Sequence, residues 1–168
     1  MAENIIFVDE EDAPIGSGAR EEAWAKGIYV RIVRTIIKDE NGRILSQRRS
    51  LKKKSYPNRW TDSASGHVDV DDTYESAVAR ELQEELGIDI NLKFIGKFAS
   101  KDVTDGKTIL EFNAIYEGSV DSSQQFNLQK SEVSDVRWFD IDDLYKLIKT
   151  EPESFTPGFR ETITRFYS

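Results

Sequence analysis

The sequence predicts an α/β fold, an α/β/α sandwich with a mixed central sheet held between helices. Three observations predict it. Ile28 to Lys38 is dense in β-branched residues and long enough to cross a sheet. Thr73 to Leu86 carries apolar residues at helical spacing. Strand-like and helix-like segments interleave irregularly along the chain, which places helices on both faces of one sheet.

The elements follow in order. Ile5 to Val8 reads as a strand, followed by an acidic turn at Asp9 to Asp12 and a short extended piece near Ile15. A short helix is expected over Ala19 to Ala25, so residues 1–27 form an N-terminal extension of a strand pair and helix packed on the core. Asp39-Glu40-Asn41-Gly42 is a turn between the Ile28 to Lys38 strand and a second strand, Arg43 to Arg48. After a basic loop, Trp60 to Val70 looks extended, with Gly66 inside it. Leu92 to Ser100 and Thr108 to Glu117 are strands around an Asp105-Gly106 turn, and Val133 to Phe139 is another. Helices are expected over Asp140 to Lys149 and Pro157 to Tyr167. No repeat or long linker interrupts the 168 residues, which suit one domain with a sizeable core.

Composition narrows the function. Hydrophobic residues are 38% and charged residues 32%, an ordinary balance for a water-soluble chain. No apolar run approaches membrane-spanning length, and the opening Met1-Ala2-Glu3-Asn4 lacks the basic start of a secretory signal. A cytoplasmic location is the expectation. A net charge of −8 argues against a nucleic-acid polymer or an acidic membrane as partner. With no cysteine, thiolate metal sites and cysteine nucleophiles are excluded.

The chemistry concentrates between Gly66 and Ile88. On the predicted helix, Glu81, Glu84 and Glu85 share an arc of roughly 100°, while Val78, Leu82 and Leu86 face the core. Ala77 is expected among the carboxylates, leaving space there. Three acids on one face repel one another, and Arg80, able to pair with Glu84, does not neutralise all three. A hard cation such as Mg2+ would. Gly66 allows close approach of its backbone, so its carbonyl is a further candidate metal ligand. A solvated acidic face is the plainer reading of any one of these glutamates. At the helix ends, Asp72 and Glu75 make a capping pair and Gly87 a stop.

The segment resembles the signature of the Nudix hydrolases. Gly66, Arg80, Glu81, Leu82, Glu84, Glu85, Gly87 and Ile88 stand at the required spacing, and Asp72 replaces the family's glutamate with a side chain one methylene shorter. The resemblance implies that Glu81, Glu84 and Glu85 hold Mg2+ or Mn2+, with Glu81 also a candidate base. Arg80 would orient Glu81 or brace the loop. A carboxylate outside the signature would complete the metal site, Glu132 being favoured over Glu111.

A second resemblance runs from Gln47 to His67 and is to isopentenyl-diphosphate isomerases, which share the fold. It implies that Arg49 and Lys53 contact phosphate, within a basic run that includes Arg48, Lys52, Lys54 and Arg59. The isomerase reaction needs a cysteine where this chain has Ser65, and a histidine-rich metal site where it has only His67. His67 is a candidate for orienting substrate, beside its simpler reading as a hydrogen-bonded structural residue. Tyr56, Trp60 and Phe112 are candidate stacking surfaces.

The expected activity is therefore metal-dependent hydrolysis of a diphosphate bond in a small molecule, a nucleoside diphosphate derivative or a nucleoside di- or triphosphate. A non-catalytic phosphate-ligand-binding module is the rival reading, with isoprenoid diphosphate isomerisation behind both. The N-terminal strands and final helix could serve a homodimer.

Overall fold

The computed structural model describes residues 3–168. Among these residues, nine strands form one mixed sheet organised around β3 (Tyr29–Lys38). One edge of β3 is filled along its whole length by the parallel strand β8 (Lys107–Ser119), from Tyr29 opposite Leu110 to Lys38 opposite Ser119. The other edge is shared in succession by β1 (Ile5–Val8), β6 (Ala64–His67) and β4 (Ile44–Arg49), all antiparallel. β2 (Pro14–Gly18) pairs with β1, β7 (Lys93–Thr104) with β8, and both β5 (Trp60–Thr61) and β9 (Val133–Phe139) with β4.

Side-chain alternation sorts the helices onto two faces. Val33 and Ile37 of β3 point to α2 (Tyr74–Leu86), where they meet Ala77, Val78, Leu82 and Leu86. Ile36 points the other way, into a cluster with Leu144 of α3 (Ile141–Thr150) and Phe159 and Ile163 of α4 (Pro157–Phe166). β1 behaves likewise. Ile6 and Val8 join the α2 side, while Ile5 and Phe7 pack with Ala23 of α1 (Arg20–Lys26). Covered on both faces, β1 is apolar at every position. The predicted sandwich is thus observed, with α2 on one side and α1, α3 and α4 on the other.

Three expectations change. Trp60 to Val70 is not one strand: β5 pairs with β4, then the chain crosses to β3 as β6. Ser63 makes the crossing possible by filling the gap between β3 and β4. Its N–H donates to Thr35 O at 2.9 Å, and its hydroxyl accepts from Ile37 N at 2.8 Å and donates to Leu45 O at 2.6 Å. The capping pair of α2 is Thr73 with Ser76, each side chain bonding the other's backbone N–H, rather than Asp72 with Glu75. Ala77 is fully buried against Val33 and Val68 instead of lying open among the acids. The first half of α2 is covered by the chain leaving β6, and a methyl group there lets helix and sheet approach closely.

Two turns behave as read. Gly87 ends α2 at φ 71°, and Asp105-Gly106 turns β7 into β8 with φ of 50° and 74°, the left-handed pair of a two-residue hairpin loop. No helix among the described residues is long and apolar enough to cross a membrane.

Candidate active site

One cleft, of about 450 Å³, opens between α2, β6, the basic loop after β4 and the first turn of α4. It brings together the candidate metal, catalytic and phosphate-contacting residues: Arg49, Lys53, Gly66, His67, Arg80, Glu81, Glu84, Glu85, Glu111 and Glu132. One wall is anionic, formed by the three glutamates of α2. Arg49 and Lys53 line the same cleft, close enough for their charges to act on Glu85.

The glutamates are graded in burial. Glu85 is 5% exposed and accepts hydrogen bonds from Ser65 N at 2.9 Å and from Gln47 Nε2 at 2.8 Å. Glu81 lies between Gly66 and Arg80, whose Nη1 donates to it at 2.8 Å. Glu84 stands at the mouth with its side chain 46% exposed, 3.5 Å from Arg80. Burial pushes the Glu81 carboxyl up to about 8, and the neighbouring Glu85 charge adds to the effect. Burial also pushes Glu85 up to about 7, against the opposing hydrogen bonds from Ser65 and Gln47. A buried and a largely buried carboxylate thus resist carrying charge together.

Gly66 is explained by Glu81. A Cβ at position 66 would stand 2.2 Å from the Glu81 carboxyl carbon, so any larger residue would expel that carboxylate. Asp72, despite its shorter side chain, does reach the arginine, accepting from Arg80 Nη2 at 2.7 Å. Arg80 spans Asp72 and Glu81 and is closer to both than to Glu84. It bonds the loop ahead of α2 and the Glu81 carboxylate at once.

Of the basic residues, Arg49 is fixed by donating to Ser55 O at 3.1 Å, and Lys53 donates to the Glu132 carboxylate. The rest of the basic run disperses. Lys54 pairs with Glu21 of α1, and Arg48 and Arg59 lie over the rings of Trp60 and Tyr56 at 5.8 and 5.2 Å. Of the candidate stacking residues, Tyr56 lines the cleft. Trp60 is spent edge-on against Phe139 at 5.6 Å, and Phe112 packs on Tyr29 at 4.9 Å. Burial, followed by the charge of Arg20, depresses the His67 imidazole well below its usual range, so it is neutral at pH 7. Its Nδ1 lies 3.5 Å from Glu3, while Nε2 is buried with no hydrogen-bond partner among the described residues.

The floor holds a residue the sequence did not flag. Arg34 of β3 is buried, donating to Asp62 at 2.7 Å, Asn113 at 2.8 Å and Glu111 at 3.4 Å. Burial raises the Glu111 carboxyl, and the Arg34 charge opposes that rise. Arg20 and Glu3, joined to each other, also reach the cleft from the N-terminal segment.

The donor set suits a hard divalent cation: carboxylate oxygens in excess of local positive charge, two of them buried. Among the described residues, no three acid or imidazole groups stand close enough to grip a cation as they are, because Glu81 leans to Arg80 and Glu85 to Ser65 and Gln47.

The NUDIX domain family matches residues 28–161. Isopentenyl-diphosphate Delta-isomerase 2 of Photorhabdus laumondii is 32% identical over 164 residues, 97% of this chain and 92% of its own. A protein named prenyl-diphosphate phosphatase, from Methanosarcina mazei, is 32% identical over 165 residues, covering 97% of this chain and 94% of its own. The crystal structure of DR0079 from Deinococcus radiodurans superposes with a TM-score of 0.83 at 25% identity, spanning 99% of this chain and 100% of that one. Family members of this kind generally need divalent metal ions and cleave diphosphate linkages in small molecules. With Gly66, Arg80, Glu81, Glu84 and Glu85 of the signature gathered in one cleft, the chain belongs to the NUDIX domain family and is a Nudix-type pyrophosphohydrolase.

Proposed function

We propose that this enzyme uses Mg2+ or Mn2+ to hydrolyse a diphosphate bond in a nucleoside diphosphate derivative or a nucleoside di- or triphosphate. The observation that carries the reading is a single cleft lined both by Glu81, Glu84 and Glu85 and by Arg49 and Lys53. Glu81, Glu84 and Glu85, with Glu132 and the Gly66 carbonyl, would hold the metal. Bound there, a divalent cation polarises phosphoryl oxygens and lowers the pKa of water. Arg49 and Lys53 meet the diphosphate charge, and Arg80 keeps Glu81 aimed into the cleft. His67, being neutral, serves as a hydrogen-bonding group toward substrate rather than as a fixed charge.

Beyond the phosphate region the lining stays polar. Ser100, Lys101, Asp102, Thr156 and Glu161 line the cleft there beside Ala99, Ile109 and Pro157. That favours a hydrogen-bonding partner, such as a nucleoside or sugar, over a hydrocarbon chain. A second reading, hydrolysis of prenyl diphosphates, is supported by the relative named for that activity at 32% identity. Isomerisation is disfavoured by Ser65.

The test is a metal-dependent phosphate-release screen run on wild type and Glu85→Gln together. It should cover nucleoside di- and triphosphates, nucleotide sugars, dinucleotides and prenyl diphosphates. Turnover of a nucleotide class, lost in the variant, is the expected result. Preference for prenyl diphosphates would select the second reading. Metal-dependent binding without turnover of any substrate would make the chain a binding module.

A further inference from the structure

Lys53 and Glu132 reach the cleft already joined, the ammonium donating to the carboxylate. The pair is partly shielded, with side chains 16% and 34% exposed, so the attraction is screened less than on open surface. The backbone around it is tied down. Ser50 N donates to Glu132 O at 3.0 Å, and Gln129 N donates to Glu85 O at 3.1 Å. The basic loop, the 129–132 turn and the end of α2 thereby form one hydrogen-bonded unit, within which side chains can swing while the main chain stays.

We propose that Lys53 and Glu132 are exchange partners that couple metal binding to phosphate binding. In the substrate-free protein each satisfies the other. When a metal–diphosphate enters, Glu132 turns to the cation and Lys53 to a phosphoryl oxygen, so both charges exchange one partner for another. A ligand carrying only the anion must draw Lys53 away and leave Glu132 without its partner, and a lone cation does the reverse. The pair therefore makes the cleft selective for the metal–diphosphate over either component. Glu132 acts in this as a positioning residue for Lys53. The coupling is reciprocal, since whatever the cation does for the anion the anion does for the cation.

This inference rests on the assignment of Lys53 to phosphate and Glu132 to metal, and the experiment separates the two. Inorganic pyrophosphate is titrated calorimetrically, in excess EDTA, into wild type, Glu132→Gln, Lys53→Met and the double variant, with circular dichroism and melting curves checking each fold. Glu132→Gln should tighten metal-free pyrophosphate binding by about fivefold, as releasing a partly shielded ion pair warrants. In the Lys53→Met background the same substitution should change nothing. Equal tightening in both backgrounds would mean that only the local field had changed, and would overturn the exchange. If Lys53→Met leaves pyrophosphate affinity unaltered even when combined with Glu132→Gln, the phosphate role of Lys53 itself fails. Should Glu132→Gln unfold the protein, Glu132→Ala is read against the same pattern.

Discussion

Gly66 and Glu81 define the site at the finest scale, because one exists to make room for the other. Gly66→Ala would put a methyl group on the Glu81 carboxyl and force it out of line. A displacement near 1 Å in a catalytic group costs about 100-fold in rate, so that loss in kcat is expected with substrate affinity little changed. Glu81→Gln retains shape and removes the charge. It should lower kcat by about 1,000-fold and leave the melting temperature at or above wild type, since a buried carboxylate has been neutralised. Near-normal turnover in Glu81→Gln would dismiss its role. Arg34 and Arg20 illustrate what the sequence hides at this scale. Arg34 sits in an apolar strand, where its importance comes from Asp62, Glu111 and Asn113, all distant in sequence. Arg20 lies outside the signature, and only the packing of α1 brings it to the cleft.

At the scale of the element, α2 does two jobs with two faces. Val78, Leu82 and Leu86 anchor it, and that anchoring is legible because burial follows helical period. Its start is harder to read. Asp72 looks like a cap by spacing, yet its carboxylate goes to Arg80, so Thr73 and Ser76 take over the cap one residue later. Thr73→Ala should therefore cost about 1 kcal/mol of stability, measured by urea unfolding, with catalysis nearly intact. Asp72→Ala should instead reduce activity more than stability, because it frees Arg80. Strand assignments succeed where alternation or branching dominates, as in β1, β3 and β9. The break between β5 and β6 is not legible, since it depends on where Ser63 lands between two strands that come before it in the chain.

Across the whole molecule, the buried acids link stability to pH. Glu81 and Glu85 have folded values of about 8 and about 7 against an ordinary 4.5. A raised carboxyl value favours the folded state while the group is protonated, so the benefit is complete below pH 4.5 and is lost as pH climbs through 7 to 8. The metal-free protein should therefore lose thermal stability between about pH 5 and 8, and millimolar Mg2+ should restore more of it at the upper end of that window than at the lower. His67 acts with the opposite sign below 6.5, so the informative quantity is the difference between wild type and Glu85→Gln across that window. A flat difference would remove Glu85 from the account.

The divided edge of β3 also bears on how the chain is made. Its full-length neighbour, β8, lies far downstream, with Tyr29 waiting for Leu110. A nascent chain halted before residue 107 would hold the signature helix and the basic loop, yet one border of its central strand would be bare. Long-range parallel pairing of this kind is slow to form. Ribosome-bound intermediates of that length should be protease-sensitive, and hydrolytic competence should arrive only after β8, Glu132 and the first turn of α4 have all emerged.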